Sequence, residues 1–165
     1  VKHTVSIPSD PPQPAKTRPL RHQALDLLAR REHASHELAT KLLAKGGDRT
    51  EIETVLTQLQ QEGLLSDARF AEMRCRQRRE AGFGPLHVSS DLLARGLSRQ
   101  LITEVIDAES ELWLSAARHA KQKRFGPGRP RDPATQAKWM RFLQARGFTQ
   151  RQIRHALHDT EAEED

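Results

Sequence analysis

Leu92-Leu93-Ala94-Arg95-Gly96-Leu97-Ser98-Arg99-Gln100-Leu101-Ile102 is the stretch on which the reading of the fold turns. An Arg-Gly pair closes one apolar segment, and two residues after the glycine Ser98 opens another. Glycine takes the left-handed conformation that ends a helix without steric cost, and a serine oxygen accepts one of the orphan N–H groups that start the next. The stretch therefore predicts a tight corner between two helices, with positive φ at Gly96. The same register recurs about 50 residues to either side, at Lys45-Gly46 and at Arg146-Gly147. Asp48 and Thr149 hold the place of Ser98. Ile52, Ile102 and Ile153 follow each glycine by six residues, and Leu56, Ile106 and Leu157 come four later. Leu97 and Phe148 stand before their caps, placed to staple onto Ile102 and Ile153, whereas the first corner has Gly47 there. Asp48 with Glu51, and Thr149 with Gln152, have capping-box spacing.

Each corner is preceded by a further helical stretch, roughly Leu20–Arg31, Ser66–Ala81 and Ser110–Phe125, from the apolar periodicity. Trp113, Ala116, Ala117 and Ala120 share one face of the last, with Arg118 turned away. Phe70 and Met73 oppose Arg69, Arg76 and Arg79 in the second. Gly82-Phe83-Gly84-Pro85 and the segment 126–133 read as turns, and Asp132-Pro133 as a cap followed by a first-turn proline. A unit near 50 residues buries too little to stand alone, so three must stack. The predicted fold class is all-α, with three tandem three-helix repeats forming a curved elongated array on the order of 60 Å long at 1.5 Å per helical residue. Residues 19–65, 66–109 and 110–158 are the expected repeats. Residues 1–18, with Pro8, Pro11, Pro12 and Pro14, form a disordered arm, and 159–165 an acidic tail.

Composition agrees with this class and narrows the function. Only 4% of residues are aromatic and there is no Tyr, which disfavours a β-sandwich. The net charge of +5 is low because five of the 22 acids lie in 159–165; residues 1–158 carry +10. A body this cationic suits a polyanionic partner. Cys75 is the single cysteine and is expected buried or half-buried, which fits a reducing compartment. No apolar run approaches the ~18–20 residues of a membrane span, so no membrane is expected among the partners, and a cytoplasmic protein is.

Chemistry is sparse. Neither Gly82-Phe83-Gly84 nor Gly126-Pro127-Gly128 has the Lys and Ser/Thr of a phosphate-binding loop. His33 with His36, and His155 with His158, lack the spacing and the acid of a zinc site. The reading is therefore no catalytic residue, no metal and no cofactor. The basic helix ends are the candidate site: Arg74, Arg76, Arg78 and Arg79 in the second unit, and Arg118, Lys121, Lys123 and Arg124 in the third, with Arg95 and Arg99 beside them. Arg129 and Arg131 lie in the following loop. Cations at helix C-termini offset the macrodipole by ~0.3–1 kcal/mol each, which accounts for part of this pattern. Its recurrence in every unit, Arg30-Arg31 included, favours a shared surface. The alternative is a helix-turn-helix or winged-helix transcriptional regulator, suggested by residues 37–65, although Ser66-Asp67 starts a helix where a wing would need a β-hairpin.

An ordered set of segments resembles the RecX family: Ala24-Leu-Asp-Leu-Leu-Ala-Arg-Arg-Glu-His33, then Gly63-Leu-Leu-Ser-Asp-Ala-Arg-Phe-Ala71, Gly84-Pro85 before Leu92-Leu-Ala-Arg-Gly-Leu97, and Arg141-Phe-Leu-Gln-Ala-Arg-Gly-Phe148. The match runs over about residues 20–158. Gly46-Gly47 departs from the family's habit of a bulkier residue after the glycine, and the Pro-rich arm has no clear counterpart. The resemblance implies a non-enzymatic regulator that binds the RecA filament and both single- and double-stranded DNA with weak sequence preference. It further implies inhibition of filament extension, ATP hydrolysis and strand exchange, by a protein expected to act as a monomer.

Overall fold

Gly46, Gly96 and Gly147 have φ of +86°, +83° and +83°, and each ends a helix, as the three corners require. Ser98 accepts a hydrogen bond from Leu101 N–H, and Asp48 from Glu51 N–H. Thr149 N–H donates to Gln152 Oε1 at 2.9 Å while Gln152 N–H reaches Thr149 Oγ1 at 3.4 Å, a reciprocal capping box. The computed structural model describes residues 18–158, so the acidic run at 159–165 and all but Arg18 of the Pro-rich arm lie outside the described residues. Within them are α1 (Leu20–Leu28), α2 (Ser35–Ala44), α3 (Arg49–Gln61), α4 (Asp67–Glu80), α5 (Pro85–Ala94), α6 (Arg99–Val105), α7 (Glu111–Phe125), α8 (Pro133–Ala145) and α9 (Gln150–His158), and no strand. The β-hairpin of a winged helix is absent: α4 follows Leu65 almost directly.

Three separate cores show why the elements group in threes. Leu20, Leu38, Leu42, Ile52 and Leu59 close the first, Phe70, Val88, Leu92, Leu97 and Ile102 the second, and Ala117, Leu143, Phe148, Ile153 and Leu157 the third. Leu97 and Phe148 are buried in the same cores as Ile102 and Ile153, as the staple reading expects. Gly47 leaves that place open in the first unit, and Leu20 fills it; a Cβ on Gly47 would come within 2.8 Å of Leu20 Cδ2.

One helix ends earlier than periodicity suggests, and another gives way to extended chain. α1 stops at Leu28 rather than near Arg31, because side chains hold the following turn. Arg31 pairs with Glu37, and the buried His33 bonds the Arg31 carbonyl through Nδ1 at 2.9 Å and Lys41 Nζ through Nε2 at 3.0 Å. α6 stops at Val105, and Ile106 turns extended while remaining 8% exposed.

Stacking is accomplished at helix N-termini. α5 begins with Gly84 and Pro85 and has no side-chain cap of its own. Gly84 N–H donates to Arg146 O at 2.7 Å and Leu86 N–H to Gly147 O at 3.0 Å, so the third unit's corner supplies the acceptors. Both glycines are needed for so close an approach: a Cβ on Gly84 would lie 2.5 Å from Phe148 N. α2 likewise lacks its own cap, and Ser35 N–H donates to Asp67 Oδ1 of the second unit at 2.7 Å. α8 differs from both, for its own Asp132 accepts from Thr135 N–H at 2.8 Å. At each of these three starts an orphan N–H finds an acceptor, twice in the neighbouring unit.

Candidate basic interface

Helical spacing divides the arginines of α4, at 100° per residue, onto two faces. Arg74 and Arg78 turn toward α5, where Arg74 Nε meets Asp91 Oδ2 at 2.7 Å and Arg78 Nε stands 3.6 Å from the same oxygen. Arg95, one turn beyond Asp91, adds a third guanidinium at 3.3 Å. Burial raises the Asp91 carboxyl, but the Arg74 hydrogen bond and the charges of Arg74, Arg95 and Arg78 outweigh it and bring the pKa to about 2. Three cations thus share one carboxylate, leaving a surplus of two positive charges. Arg78 also lies over Phe83 at 5.3 Å and Arg95 over Phe70 at 6.0 Å, so both are anchored on apolar surface.

Arg76 and Arg79 occupy the other face. Arg79 rests over Trp113 at 5.7 Å, while Arg76 is exposed. Cys75 beside them is buried, which pushes its thiol up against the opposing charge of Arg79. Arg99 is exposed in the first turn of α6. A cation there opposes the macrodipole, so dipole compensation cannot account for it.

In the third unit the expectation fails for one residue. Lys121 is 1% exposed, donates to Gly128 O at 2.9 Å and holds its ammonium 5.7 Å from the Trp139 ring. It fastens the 126–133 loop to α7 and belongs to the interior, not to a binding surface. Arg118 is half-buried. Lys123 and Arg124 are exposed and meet Arg146 around a cleft of about 230 Å³ at the junction of the second and third units, floored by Ala81, Ala120 and Phe142. Arg129 and Arg131 are exposed in the loop, some way along the chain from that cleft.

Seven of the ten residues therefore fall into three groups, Arg74, Arg78 and Arg95 at Asp91, Arg76 and Arg79 on the opposite face of α4, and Lys123 and Arg124 at the junction cleft, while Arg99, Arg118 and Lys121 stand outside them. Arg146 is the residue that site reasoning overlooked. Its guanidinium lies over Phe83 at 4.7 Å and Phe142 at 5.2 Å and donates to Ala81 O at 3.2 Å, tying two units together. Its signal was its place in the repeated basic-Gly pair. Among the described residues no group of three or more His, Cys, Asp or Glu side chains could hold a metal, and no helix is long and apolar enough to cross a membrane.

Acidification is expected to destabilise the protein in two stages. His33 titrates below its ordinary value because it is buried, so protons prefer the unfolded chain; its contribution is present above about pH 6.5 and fades as pH falls. Glu37, held at about 2 chiefly by the Arg31 hydrogen bond, and Asp91 at about 2 act lower. Each contributes on the order of 2 kcal/mol above the ordinary carboxylate range, lost as pH falls through about 2. Urea midpoints measured from pH 7 to pH 2 check this, and E37Q and D91N should flatten the acid limb.

Models of the three RecX domains match in order: the first three-helix domain over residues 21–59, the second over 66–106 and the third over 111–157. The regulatory protein RecX of Halorhodospira halophila is 43% identical over 142 residues, covering 86% of this chain and 88% of that protein. That of Chromohalobacter salexigens is 42% identical over 138 residues, covering 83% and 90%. The crystal structure of RecX from Lactobacillus salivarius superposes with a TM-score of 0.72 over 83% of this chain and 91% of that one, at 18% identity. That last likeness speaks to the fold.

Proposed function

Because this chain belongs to the RecX family of regulatory proteins, we propose that it regulates the bacterial recombinase RecA, binding the nucleoprotein filament and DNA and catalysing no reaction of its own. Lodged on the filament, the array hinders its extension, ATP hydrolysis and strand exchange. It works as a monomer in the cytoplasm. The observation that carries this reading is a surplus of cations left over after internal pairing. Arg76, Arg99 and Lys123 are exposed, with no side-chain ion pair or hydrogen bond among the described residues, and the Asp91 cluster adds its own excess. Phosphates are the acceptors such a surface suits.

Two measurements test it. RecA ATPase on single-stranded DNA should fall at substoichiometric amounts of the protein; an unchanged rate removes the proposed regulation. Binding to DNA alone should weaken steeply with salt and depend little on sequence, because neutralised phosphates release counterions. Protection of one defined duplex site would instead indicate base readout by a transcriptional regulator.

A further inference from the structure

The two joints of the array are made of different materials. Between the second and third units the seam is backbone against backbone, through Gly84 N–H to Arg146 O at 2.7 Å and Leu86 N–H to Gly147 O at 3.0 Å. Trp113 of α7, 2% exposed, is seated in the core of the second unit, and α4 packs against α7. Backbone groups have no rotamer to change, so these bonds fix the two units in one geometry. That joint holds as one body.

Between the first and second units the hydrogen bonds run to side-chain carboxylates. Asp67 accepts from Ser35 N–H at 2.7 Å. Arg69 Nε reaches Glu32 Oε1 at 2.9 Å, but the two side chains are 46% and 30% exposed, and such pairs exchange readily with water. The methyl of Ala34 is buried in the second unit's core beside Phe70 and Ala71, and the Gly96 corner lies against the side chain of His36 in α2. A methyl is small and round, so it seats without fixing an angle. The covalent link runs through Gly63, at φ +71°, to Ser66.

We propose that the first unit swings as a module on a rigid body formed by the second and third. It pivots about Ala34 and the 63–66 connection, and Asp67 is the latch that holds it. The swing changes the angle between the cations of the first unit, Arg30, Lys45 and Arg49, and the fixed set on the other two, so one array adapts to surfaces of different curvature. The inference rests on the packing of the joints and is independent of the RecA reading.

Spin labels at equivalent exposed positions test it: Glu53, Thr103 and Arg154 each follow their corner glycine by seven residues. In a C75S background, double electron–electron resonance reads the Glu53–Thr103 and Thr103–Arg154 distances in E53C/T103C and T103C/R154C. The first distribution should be roughly twice as wide as the second, as expected for domains joined by a small polar contact. D67A should broaden and shift the first and leave the second alone. S35P provides an independent release, since proline at the first helical position removes the donor N–H without disturbing α2. Circular dichroism confirms that helix content is kept. Equal widths at the two joints, or a Glu53–Thr103 distribution that ignores both D67A and S35P, overturns the proposal.

Discussion

G147A is expected to lower stability by about 4 kcal/mol, the sum of a left-handed alanine at ~1–2 kcal/mol and the loss of paired N–H groups at ~1–3 kcal/mol. A Cβ at Gly147 would overlap the backbone nitrogen of His87 and lie 2.6 Å from its Cβ and 3.0 Å from its Cα. Backbone cannot step aside as a flexible side chain does. The joint must part instead, stranding the N–H groups of Gly84 and Leu86 that Arg146 and Gly147 satisfy. G46A supplies the comparison. Gly46 has nearly the same φ, +86°, but nothing stands within 4 Å of its would-be Cβ. It should cost only the conformational part, about 1 kcal/mol. Thermal melts of both variants decide this: at ~2–4 °C per kcal/mol for a chain of this size, G147A should melt about 10 °C below wild type and G46A about 3 °C below. Equal losses would mean that the seam contributes little.

The second large effect concerns the surface. Changing Arg76, Arg99, Lys123 and Arg124 together to Gln removes four exposed charges while keeping long side chains that suit helices. Packing should be untouched, so the melting temperature should stay within a few degrees, surface substitutions usually staying within ~0.5 kcal/mol each. If these residues line the proposed interface, the concentration needed to inhibit RecA ATPase should rise tenfold or more, each decade corresponding to ~1.4 kcal/mol of lost interaction. Inhibition at the original concentration by the folded variant would move the interface elsewhere. Lys121 has no place in this set, since its removal would loosen the 126–133 loop and confuse a stability effect with a binding one.

The corners could be read from sequence because their chemistry is local. Glycine's left-handed conformation and a cap oxygen act across two or three residues, and the repeat of Gly46, Gly96 and Gly147 with Asp48, Ser98 and Thr149 states it three times. The early end of α1 could not be read this way, because it depends on His33 reaching Lys41 and Arg31 reaching Glu37 across a turn. Lys121 is a different kind of miss. It stands four residues after Ala117 and eight after Trp113, so spacing puts it on the buried face despite its charge. The division of Arg74 and Arg78 from Arg76 and Arg79 was equally present in the helical angle. Asp91 as their common partner was not, because that contact joins α4 to α5 over 17 residues of chain.

Asp132 bears on how the chain behaves toward copies of itself. A corner that docks on the start of another unit's second helix is a head-to-tail contact, and head-to-tail contacts between identical molecules do not close; repeated, they grow into fibres. Among the described residues nothing stands within 4 Å of a Cβ built on Gly46, so the first unit's corner is not docked as the other two are. The matching surface at the other end would be the start of α8, but there Asp132 stands in the place of Gly84, where a Cβ leaves an incoming corner no room, and its carboxylate already occupies the N–H of Thr135. A carboxylate also sits where an incoming carbonyl would have to approach, and the two oxygens repel. One acidic side chain thus makes the start of α8 a poor template for the corner of another molecule.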